Sequence, residues 1–328
     1  MGEFDLIARY FTRPTRRAVL GVGDDCALLQ PSPGTQLAIS SDMLVEGRHF
    51  FAGVDPFALG HKALAVNLSD LAACGATPLA FTLALALPRA DGAWLEPFSR
   101  GLLALADAHG CELVGGDTTQ GPLNICITVM GEVPVASGKS QALLRSGARA
   151  GDDVYVSGTL GDARLALEAL RGTLTLPPGV LAQARRRLEQ PTPRVALGQA
   201  LRGVASAAID VSDGLLGDFG HILQASAVGA VLDTSIAMNL IAACAHSDWA
   251  KGIISSETQL QYALAGGDDY ELAFTAPASA REAVTAAAGL AQTPVTHIGR
   301  ITAEPGLRLV DGQGQAVASR FPSFDHFL

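Results

Sequence analysis

Apolar residues recur with the period of a helix in several parts of the chain. Residues 3–11 show this spacing and predict a short amphipathic helix. Pro56 suits the first turn of a longer helix, which we expect to run to about Cys74 with a buried stripe of leucines. Asn67 and Asp70 lie one turn apart on a neighbouring face of that helix, so their side chains can contact the same ligand or neighbouring segment.

Shorter apolar runs bounded by turn residues predict strands. The run Thr77–Leu87 is apolar on both faces, which is typical of a strand that is covered on each side. The predicted strands are 26–29, 37–40, Thr77–Leu87, 111–115, 123–133, 154–157, 207–209, 230–233, 271–275 and 296–298. The further predicted helices are 94–108, Asp162–Leu170, 180–189, 194–203, Leu215–Ser226, one around 257–265 and one from Pro277. Residues 311–314 predict a hairpin turn.

Helices and strands are mixed along the whole chain without strict alternation. This arrangement predicts the α+β class, with two domains that each contain a mixed α/β sheet. Residues 134–140 have the composition of a loop, so we place the boundary near residue 140. The predicted domains are therefore 1–140 and 141–328, and we expect the second to contain a sheet covered by helices.

The chain of 328 residues carries 23 Lys and Arg against 32 Asp and Glu, a formal charge of −9. Because proteins that bind nucleic-acid backbones need an excess of basic residues, we expect no nucleic-acid partner. An apolar share of 48% supports a packed core, but the longest apolar run, 79–87, is too short to span a membrane. With no signal-peptide features and no CxxC pair among five cysteines, a reduced, cytoplasmic protein without membrane contact is expected.

Aspartates stand repeatedly at predicted strand ends or beside glycine. Carboxylates at a sheet edge can converge on a cleft, and glycine lets the backbone approach a ligand closely. Oxygen ligands without a His or Cys cluster are those that Mg²⁺ prefers, completed by phosphates and water. No P-loop or dinucleotide fingerprint is present. The pattern therefore predicts a phosphate site with several Mg²⁺ ions, built from Gly23-Asp24-Asp25, Ser40-Ser41-Asp42, Asn67-Leu68-Ser69-Asp70, Gly115-Gly116-Asp117, Asp210-Val211-Ser212-Asp213-Gly214 and Gly266-Gly267-Asp268-Asp269.

Each of these segments also has a structural interpretation. Asp-Gly and Gly-Asp are common turn dipeptides, and Ser212 or Asp213 can be the N-cap of the helix predicted from Leu215. The repetition of the pattern at six places favours the metal interpretation. Arg145 suits either a phosphate contact or an exposed surface position, and Phe321 suits either stacking on a planar ring or a hydrophobic anchor.

Taken together, the segments resemble the thiamine-monophosphate kinase family, within the superfamily of aminoimidazole-ribonucleotide synthetase and selenophosphate synthetase. The matching stretches follow the family's order over nearly the whole chain. They are Gly2-Glu3-Phe4 with Leu6-Ile7-Ala8-Arg9-Tyr10-Phe11, Gly23-Asp24-Asp25-Cys26-Ala27, Ser40-x-Asp42, Lys62-Ala63-Leu64-Ala65-Val66-Asn67-Leu68-Ser69-Asp70-Leu71-Ala72-Ala73, Gly115-Gly116-Asp117-Thr118, Arg145-Ser146-Gly147-Ala148, Asp210-x-Ser212-Asp213-Gly214, Gly266-Gly267-x-Asp269-Tyr270-Glu271-Leu272 and Asp325-His326-Phe327.

The resemblance implies ATP- and Mg²⁺-dependent phosphorylation of thiamine monophosphate to thiamine diphosphate, by a homodimer joined through its N-terminal halves. It assigns Mg²⁺ and ATP binding and dimerisation to domain 1–140, and completion of the nucleotide and substrate site to domain 141–328. The implied metal ligands are Asp25, Ser40, Ser41, Asp42, Asp70, Asp117, Asp210 and Asp213, and the catalytic members of this set are Asp42, Asp70, Asp117 and Asp210. The implied nucleotide contacts are Gly116, Asp117, Arg145 and Ser212, and the implied substrate contacts are His49, Asp268 and Phe321.

Three positions differ from the pattern of the family. Asp268 stands where members often carry Glu, which keeps the charge but shortens the reach by one methylene. Phe321 stands where Trp is expected and keeps a stacking face without the indole donor, while Ser41 in place of Thr keeps the hydroxyl. An acid at 268 and an aromatic face at 321 suit the cationic thiazolium ring of the implied substrate.

We expect direct in-line transfer without a phosphoenzyme, because a covalent route needs an activated nucleophile and none of the seven His residues lies within the Asp-rich segments. The acceptor phosphate is already ionised and needs no general base. The nearest alternatives are other superfamily members, such as a selenophosphate synthetase or a hydrogenase-maturation factor. A selenophosphate synthetase would need a reactive Cys or selenocysteine with a Lys near its N-terminal segment, and residues 9–17 offer neither. An alternative of a different class is a regulatory protein that binds Mg²⁺ and nucleotide without turnover.

Overall fold

The structure is a computed structural model that describes residues 2–241, 253–318 and 321. The chain forms two compact units. The first consists of Met1–Leu71 and Ala76–Ala142, and the second of Ala72–Gly75 and Leu143–Leu328. The segment Ala72–Gly75 contacts the second unit, where the backbone N–H of Leu143 donates to the carbonyl of Cys74 at 3.0 Å.

The first unit is built on a five-stranded sheet. Its elements are Glu3–Tyr10 (α1), Thr35–Val45 (β1), Pro56–Ala73 (α2), Thr77–Leu87 (β2), Gly92–His109 (α3), Glu112–Gln120 (β3), Asn124–Ala136 (β4) and Lys139–Ser140 (β5). The strand order is β1-β4-β2-β3, with β5 paired to β4. Strands β2 and β3 are parallel, whereas β4 is antiparallel to both β1 and β2.

One face of this sheet is covered, and the other is covered only in part, where Ala18 packs with the buried Ala80 of β2 and with Met130 of β4. In β4 the alternate residues Ile125, Ile127 and Val129 are buried, and Leu71 of α2 lies against Gly131 on the same face. The leucine stripe predicted for α2 is confirmed, since its members are almost fully buried. On the opposite face β1 leaves an open surface, with Ile39 63% exposed, so the cover expected on that side stays a prediction.

Two glycines let α2 and α3 cross in direct backbone contact. A Cβ atom at Gly60 of α2 would collide with the carbonyl oxygen of Phe98, and one at Gly101 of α3 would collide with that of Phe57. Such an approach brings the axes closer than larger side chains allow. The crossing fixes the position of α2, the helix that carries Asn67 and Asp70.

The second unit is built on a seven-stranded sheet. Its elements are Asp153–Ser157 (β6), Asp162–Leu170 (α4), Pro178–Glu189 (α5), Val195–Ala200 (α6), Ala207–Val211 (β7), Leu215–Ser226 (α7), Gly229–Asp233 (β8), Thr234–Ala237 (α8), Ser256–Ala265 (α9), Glu271–Ala276 (β9), Arg281–Leu290 (α10), Val295–Thr302 (β10), Gly306–Val310 (β11) and Ala316–Val317 (β12). The strand order is β12-β11-β8-β10-β6-β9-β7, and only the β8–β11 pair is parallel.

Two hydrophobic clusters support this sheet. The larger packs Phe219 and Ile222 of α7 against strand residues such as Val156 and Ile209. The smaller joins α4, α5 and α9 through residues that include Leu165 and Leu188. The helix-covered sheet predicted for the second domain is therefore confirmed, and so is the class of two mixed α/β-sheet domains.

The structure corrects several predicted boundaries. Residues 26–29 form no strand, because only Leu28 pairs there, in an isolated bridge with Leu20. Strand β3 continues through Gly116 and Asp117 instead of ending before them. The hairpin turn at 311–314 is confirmed between β11 and β12. In the described part of the chain, no helix is both long and apolar enough to cross a membrane.

We predict that Gly101→Ala lowers the free energy of unfolding by about 1–3 kcal/mol, because the added methyl group must displace the backbone of α2. Urea denaturation followed by circular dichroism measures the change. The matched control is Gly289→Ala in α10, where a Cβ meets no atom within 4 Å. The control should be neutral or stabilising, since alanine favours helix. Equal stability of Gly101→Ala and the wild type would contradict the close crossing.

Candidate functional site

A cleft of about 850 Å³ lies in the first unit between α1, the turn 22–27 and β3. Side chains of α1, including Phe4 and Ile7, form an apolar wall. Asp25 and Asp117 form part of the acidic lining. The cleft therefore offers an apolar surface and carboxylates side by side, at a volume that is typical of small-molecule sites.

Gly116 is required by the packing of β3 on β2. Its φ is +144°, and a Cβ atom there would collide with the carbonyl oxygen of Leu83 in β2. Any other residue at 116 would have to push the two strands apart, which would also move the adjacent Asp117. This steric demand exists whether or not Gly116 also contacts a ligand.

A second group of predicted ligands meets where β1 lies against α2. The Ser40 hydroxyl donates a short hydrogen bond to the Asp70 carboxylate. The backbone N–H of Asp42 donates to the side-chain oxygen of Asn67 at 3.1 Å, so the same face of α2 holds both strand residues. Because side chains alternate along a strand, Ser41 lies on the opposite face, where its hydroxyl is 3.0 Å from that of Thr128.

The predicted position of these aspartates at strand ends is only partly right. Asp42 lies inside β1, Asp117 inside β3 and Asp210 inside β7, while Asp25 is in an exposed turn. Asp42 and Asp70 are not among the lining of the 850 Å³ cleft that holds Asp25 and Asp117. The structure thus forms two acidic groups in the first unit.

In the second unit, antiparallel pairing brings two distant predicted motifs together. Val211 near the end of β7 pairs with Glu271 at the start of β9. Beyond this pair, the N–H groups of Asp268 and Tyr270 donate to the carbonyls of Ser212 at 2.7 Å and of Val211 at 2.8 Å. The segments 210–214 and 266–271 therefore lie side by side at one sheet edge, and their role as a binding site stays a prediction.

Asp218 of α7 fixes the backbone of the 212–214 turn. Its carboxylate accepts the backbone N–H groups of Ser212 and Asp213, each at 3.0 Å. Burial, helped by the nearby Asp213 carboxylate, raises the pKa of Asp218 to about 7 against the effect of these bonds. The N-cap of α7 is Gly214 without a side-chain bond, so Ser212 and Asp213 do not cap the helix. Their side chains are not used as helix caps.

Asp269 and Glu271 are buried carboxylates on either side of Tyr270. Asp269 accepts the backbone N–H of Gly161, the N-cap of α4, with both oxygens, at 2.9 and 3.0 Å. Burial raises the pKa of Asp269 well above its usual range; the neighbouring Asp162 and Glu271 carboxylates add to this, and Arg187 opposes it. Both carboxylates are therefore committed to the protein interior.

The remaining predicted residues lie in several environments. His49 is half-buried, and its Nδ1 accepts the backbone N–H of Val45 at 2.9 Å, which assigns the ring proton to Nε2 in the neutral form. Arg145 is exposed, and its carbonyl accepts the Ser226 hydroxyl at 3.2 Å. Phe321 is half-buried and packs against the core of the second unit. The motif 325–327 lies outside the described residues.

The donor chemistry of these groups fits Mg²⁺. Carboxylate and hydroxyl oxygens are offered together by Ser40, Asp42 and Asp70 beside α2, with no nitrogen or sulfur ligand in this group. Among residues 2–241 and 253–318, no three or more His, Cys, Asp or Glu side chains are grouped closely enough to hold one ion. Mg²⁺ usually binds through one or two carboxylates plus substrate phosphates and water, so a complete protein cage is not required.

Sequence reasoning did not identify Asp218, Gly161 or Arg187 as supports of the site. An acid in the first turn of α7 is an ordinary signal of contact with N-terminal amides, so Asp218 could have been found. Arg187 is 84 residues from Glu271 in sequence, and no local pattern links the two.

Known proteins resemble this chain over its whole length. The AIR synthase related family matches residues 23–133 with its N-terminal domain and residues 149–312 with its C-terminal domain. The thiamine-monophosphate kinase of Escherichia coli (strain K12) is 46% identical over 332 residues, covering 99% of this chain and 98% of that protein.

Solved structures give the same picture. The thiamine-monophosphate kinase from Stenotrophomonas maltophilia K279a superimposes with a TM-score of 0.82 at 45% identity, over 96% of each chain. A structure described as AaThiL complexed with AMPPCP and TMP has a TM-score of 0.74 at 29% identity, over 91% of this chain and 89% of that one.

We predict a pH-dependent difference in stability between wild type and Asp269→Asn. Since the folded state raises the pKa of Asp269, it binds a proton that the unfolded chain releases above about pH 4. The stability of the wild type should therefore fall, relative to the variant, as pH rises from about 4 toward the folded-state pKa, by at most about 1.4 kcal/mol per pH unit. Urea denaturation at several pH values tests this, and a constant difference would contradict it.

Proposed function

Because the chain belongs to the AIR synthase related family and its relatives named above are thiamine-monophosphate kinases, we propose that it transfers the terminal phosphoryl group of ATP to thiamine monophosphate. The products are thiamine diphosphate and ADP. The observation that carries the proposal is the 46% identity with a named kinase across both units. The acidic, oxygen-only character of the predicted site supports the same chemistry.

The metal ligands in this proposal are Asp25, Ser40, Ser41, Asp42, Asp70, Asp117, Asp210 and Asp213. When bound, Mg²⁺ would neutralise phosphate charge and polarise the transferred group. The protein's part is to hold the carboxylates in place: Asn67 fixes the backbone of Asp42, and Ser40 orients Asp70. The Ser41 hydroxyl contacts Thr128 on the opposite face of β1, so in this conformation Ser41 can ligate a metal near Asp42 and Asp70 only through its backbone carbonyl.

The nucleotide contacts in the proposal are Gly116, Asp117, Arg145 and Ser212. The cleft of the first unit has room for a nucleotide and carries an apolar wall suited to a planar base. The 212–214 turn presents its backbone with the amides of Ser212 and Asp213 already bound by Asp218, so its shape is set before a ligand arrives. AMPPCP, the nucleotide named with the related AaThiL structure, is an analogue of ATP.

The substrate contacts in the proposal are His49, Asp268 and Phe321. The thiazolium ring is cationic, so a carboxylate and an aromatic face both attract it. Phe321 packs on the core of the second unit and is half-buried, which leaves part of the ring accessible. Transfer is direct, because the acceptor oxygen is already ionised and His49 or another base need not create the nucleophile.

We further propose that the protein is a homodimer joined through the open face of the first-unit sheet. Leu37, Ile39 and Met43 of β1 are exposed at 42%, 63% and 53% on this face. Their neighbours on the adjacent strand β4 are Glu132, Met130 and Cys126. An apolar sheet face of this kind is typical of a surface covered by another chain.

The function is tested by measuring ADP release from ATP and Mg²⁺ with and without thiamine monophosphate. Release that requires thiamine monophosphate, together with formation of thiamine diphosphate, is the expected result. Binding of ATP without any turnover under these conditions would instead favour a regulatory nucleotide-binding protein. ADP release driven by a different acceptor would favour another superfamily activity.

We predict that Asp42→Asn lowers kcat by roughly 10²–10³, since each tenfold loss corresponds to about 1.4 kcal/mol of transition-state stabilisation. Its backbone N–H bond to Asn67 is independent of the carboxylate, so the fold should persist. The matched control is Asp107→Asn, which removes an exposed ion pair with Arg13 and should keep nearly full activity. A folded Asp42→Asn protein with normal kcat would remove Asp42 from the metal set.

We predict that light scattering gives a mass of twice 33.8 kDa at micromolar concentration. Ile39→Asp should shift the protein toward the monomer, because it places a charge on the open apolar face. Leu290→Asp is the control: Leu290 is also exposed, but it belongs to α10 of the second unit. A monomeric wild type, or equal dissociation by both variants, would contradict this interface.

A further inference from the structure

The backbone around Asp268 is left-handed at three positions, and one of them, Tyr270, is of a residue type that disfavours this conformation. The φ angles of Gly267, Asp268 and Tyr270 are +70°, +61° and +51°. Glycine adopts such angles freely and aspartate tolerates them, whereas a bulky residue such as tyrosine rarely does. A strained segment of this kind persists only where surrounding contacts hold it.

Arg187 of α5 is one of the residues that hold it. Its Nη2 group donates to the carbonyl oxygen of Asp269 at 3.1 Å and to the Glu271 carboxylate at 2.6 Å. Its buried Nε has no acceptor within the described chain. The orientation of the guanidinium is therefore set by its two acceptors on the 266–271 segment.

Arg194 provides a natural comparison. It also approaches Glu271, with Nε and Nη2 at 2.6 and 2.5 Å from the two carboxylate oxygens. Both of these hydrogen bonds end on the carboxylate, and neither reaches the loop backbone. The two arginine side chains are equally buried. Arg194 makes two hydrogen bonds to the Glu271 carboxylate, whereas Arg187 makes one and adds the contact with the Asp269 carbonyl.

We propose that Arg187 is a positioning residue that acts through Asp268. By holding the carbonyl that follows Asp268, it keeps the strained backbone in the one conformation that directs this carboxylate at the thiazolium ring of the substrate. This inference rests on the proposed function, in which Asp268 contacts thiamine monophosphate. Without the bond, the competent conformer becomes a fraction of the population and the apparent affinity falls by that fraction.

The test measures binding of thiamine monophosphate and, separately, of ATP with Mg²⁺ by titration calorimetry, with melting temperatures recorded for each variant. Arg187→Gln should weaken binding of thiamine monophosphate about tenfold and leave ATP binding within about twofold. Arg194→Gln should lower the melting temperature to a similar extent, because it also removes an ion pair with Glu271, yet weaken binding of thiamine monophosphate by less than about threefold.

A double-mutant cycle separates positioning from general support. In an Asp268→Ala background, Arg187→Gln should weaken binding of thiamine monophosphate by less than about a further twofold, since the carboxylate through which Arg187 acts is gone. If Arg187→Gln does not fold, Arg187→Lys keeps the positive charge without the planar fork and should weaken binding about threefold, again only while Asp268 is present. The positioning role of Arg187 would be overturned if the effects of Arg187→Gln and Asp268→Ala on binding of thiamine monophosphate were additive. It would also be overturned if Arg194→Gln weakened this binding as much as Arg187→Gln.

Failure of this inference is distinguishable from failure of the function. If the wild type neither binds thiamine monophosphate nor releases ADP in its presence, the proposed function is wrong and this inference falls with it. If the wild type is active and binds thiamine monophosphate, but Arg187→Gln binds it normally, only the positioning role is wrong. If Asp268→Ala binds it normally, the positioning role and the assignment of Asp268 as a substrate contact are both wrong, while the kinase function stands.

Discussion

Glu271 lies at the first position of β9 with its side chain fully buried, and hydrogen bonds from Ser157, Arg187 and Arg194 converge on its carboxylate. Removing such charges from water costs several kcal/mol each, which their mutual attraction offsets only when the geometry is satisfied. The cluster joins β6, α5 and the start of α6 to the point where β9 begins. The path of the chain just before β9, which carries the candidate substrate contact, depends on it.

In the first unit, close backbone contacts instead of buried charges position the elements that carry the candidate site residues. Gly60 and Gly101 bring α2 and α3 together, and Gly116 brings β3 onto β2. Strand β1 is then tied to α2 through Asn67. The candidate metal-binding carboxylates Asp70 and Asp117 are therefore placed by close backbone packing of the elements that carry them.

Much of the fold was predictable from local pattern, because leucines at helical spacing and apolar runs between turn residues report directly on burial. The helix Leu215–Ser226 and the strand Thr77–Leu87 were predicted with their observed bounds. Most of that strand is buried, and the exposed apolar surface of the sheet lies on β1, where Ile39 is 63% exposed. An apolar pattern cannot distinguish the cover of a helix from that of a second chain. The site motifs were recognised as segments, whereas Arg187 was missed because its partner is distant in sequence.

The left-handed backbone at Tyr270 limits how far the thermostability of this protein can be raised without affecting its other properties. Glycine there would relieve the steric conflict, and a selection for heat resistance alone rewards such relief. The same exchange would give the unfolded chain more freedom and the folded loop more than one shape. Under the proposed role of this loop in substrate binding, laboratory evolution toward thermostability would trade affinity for stability at this residue, unless binding is selected in the same rounds.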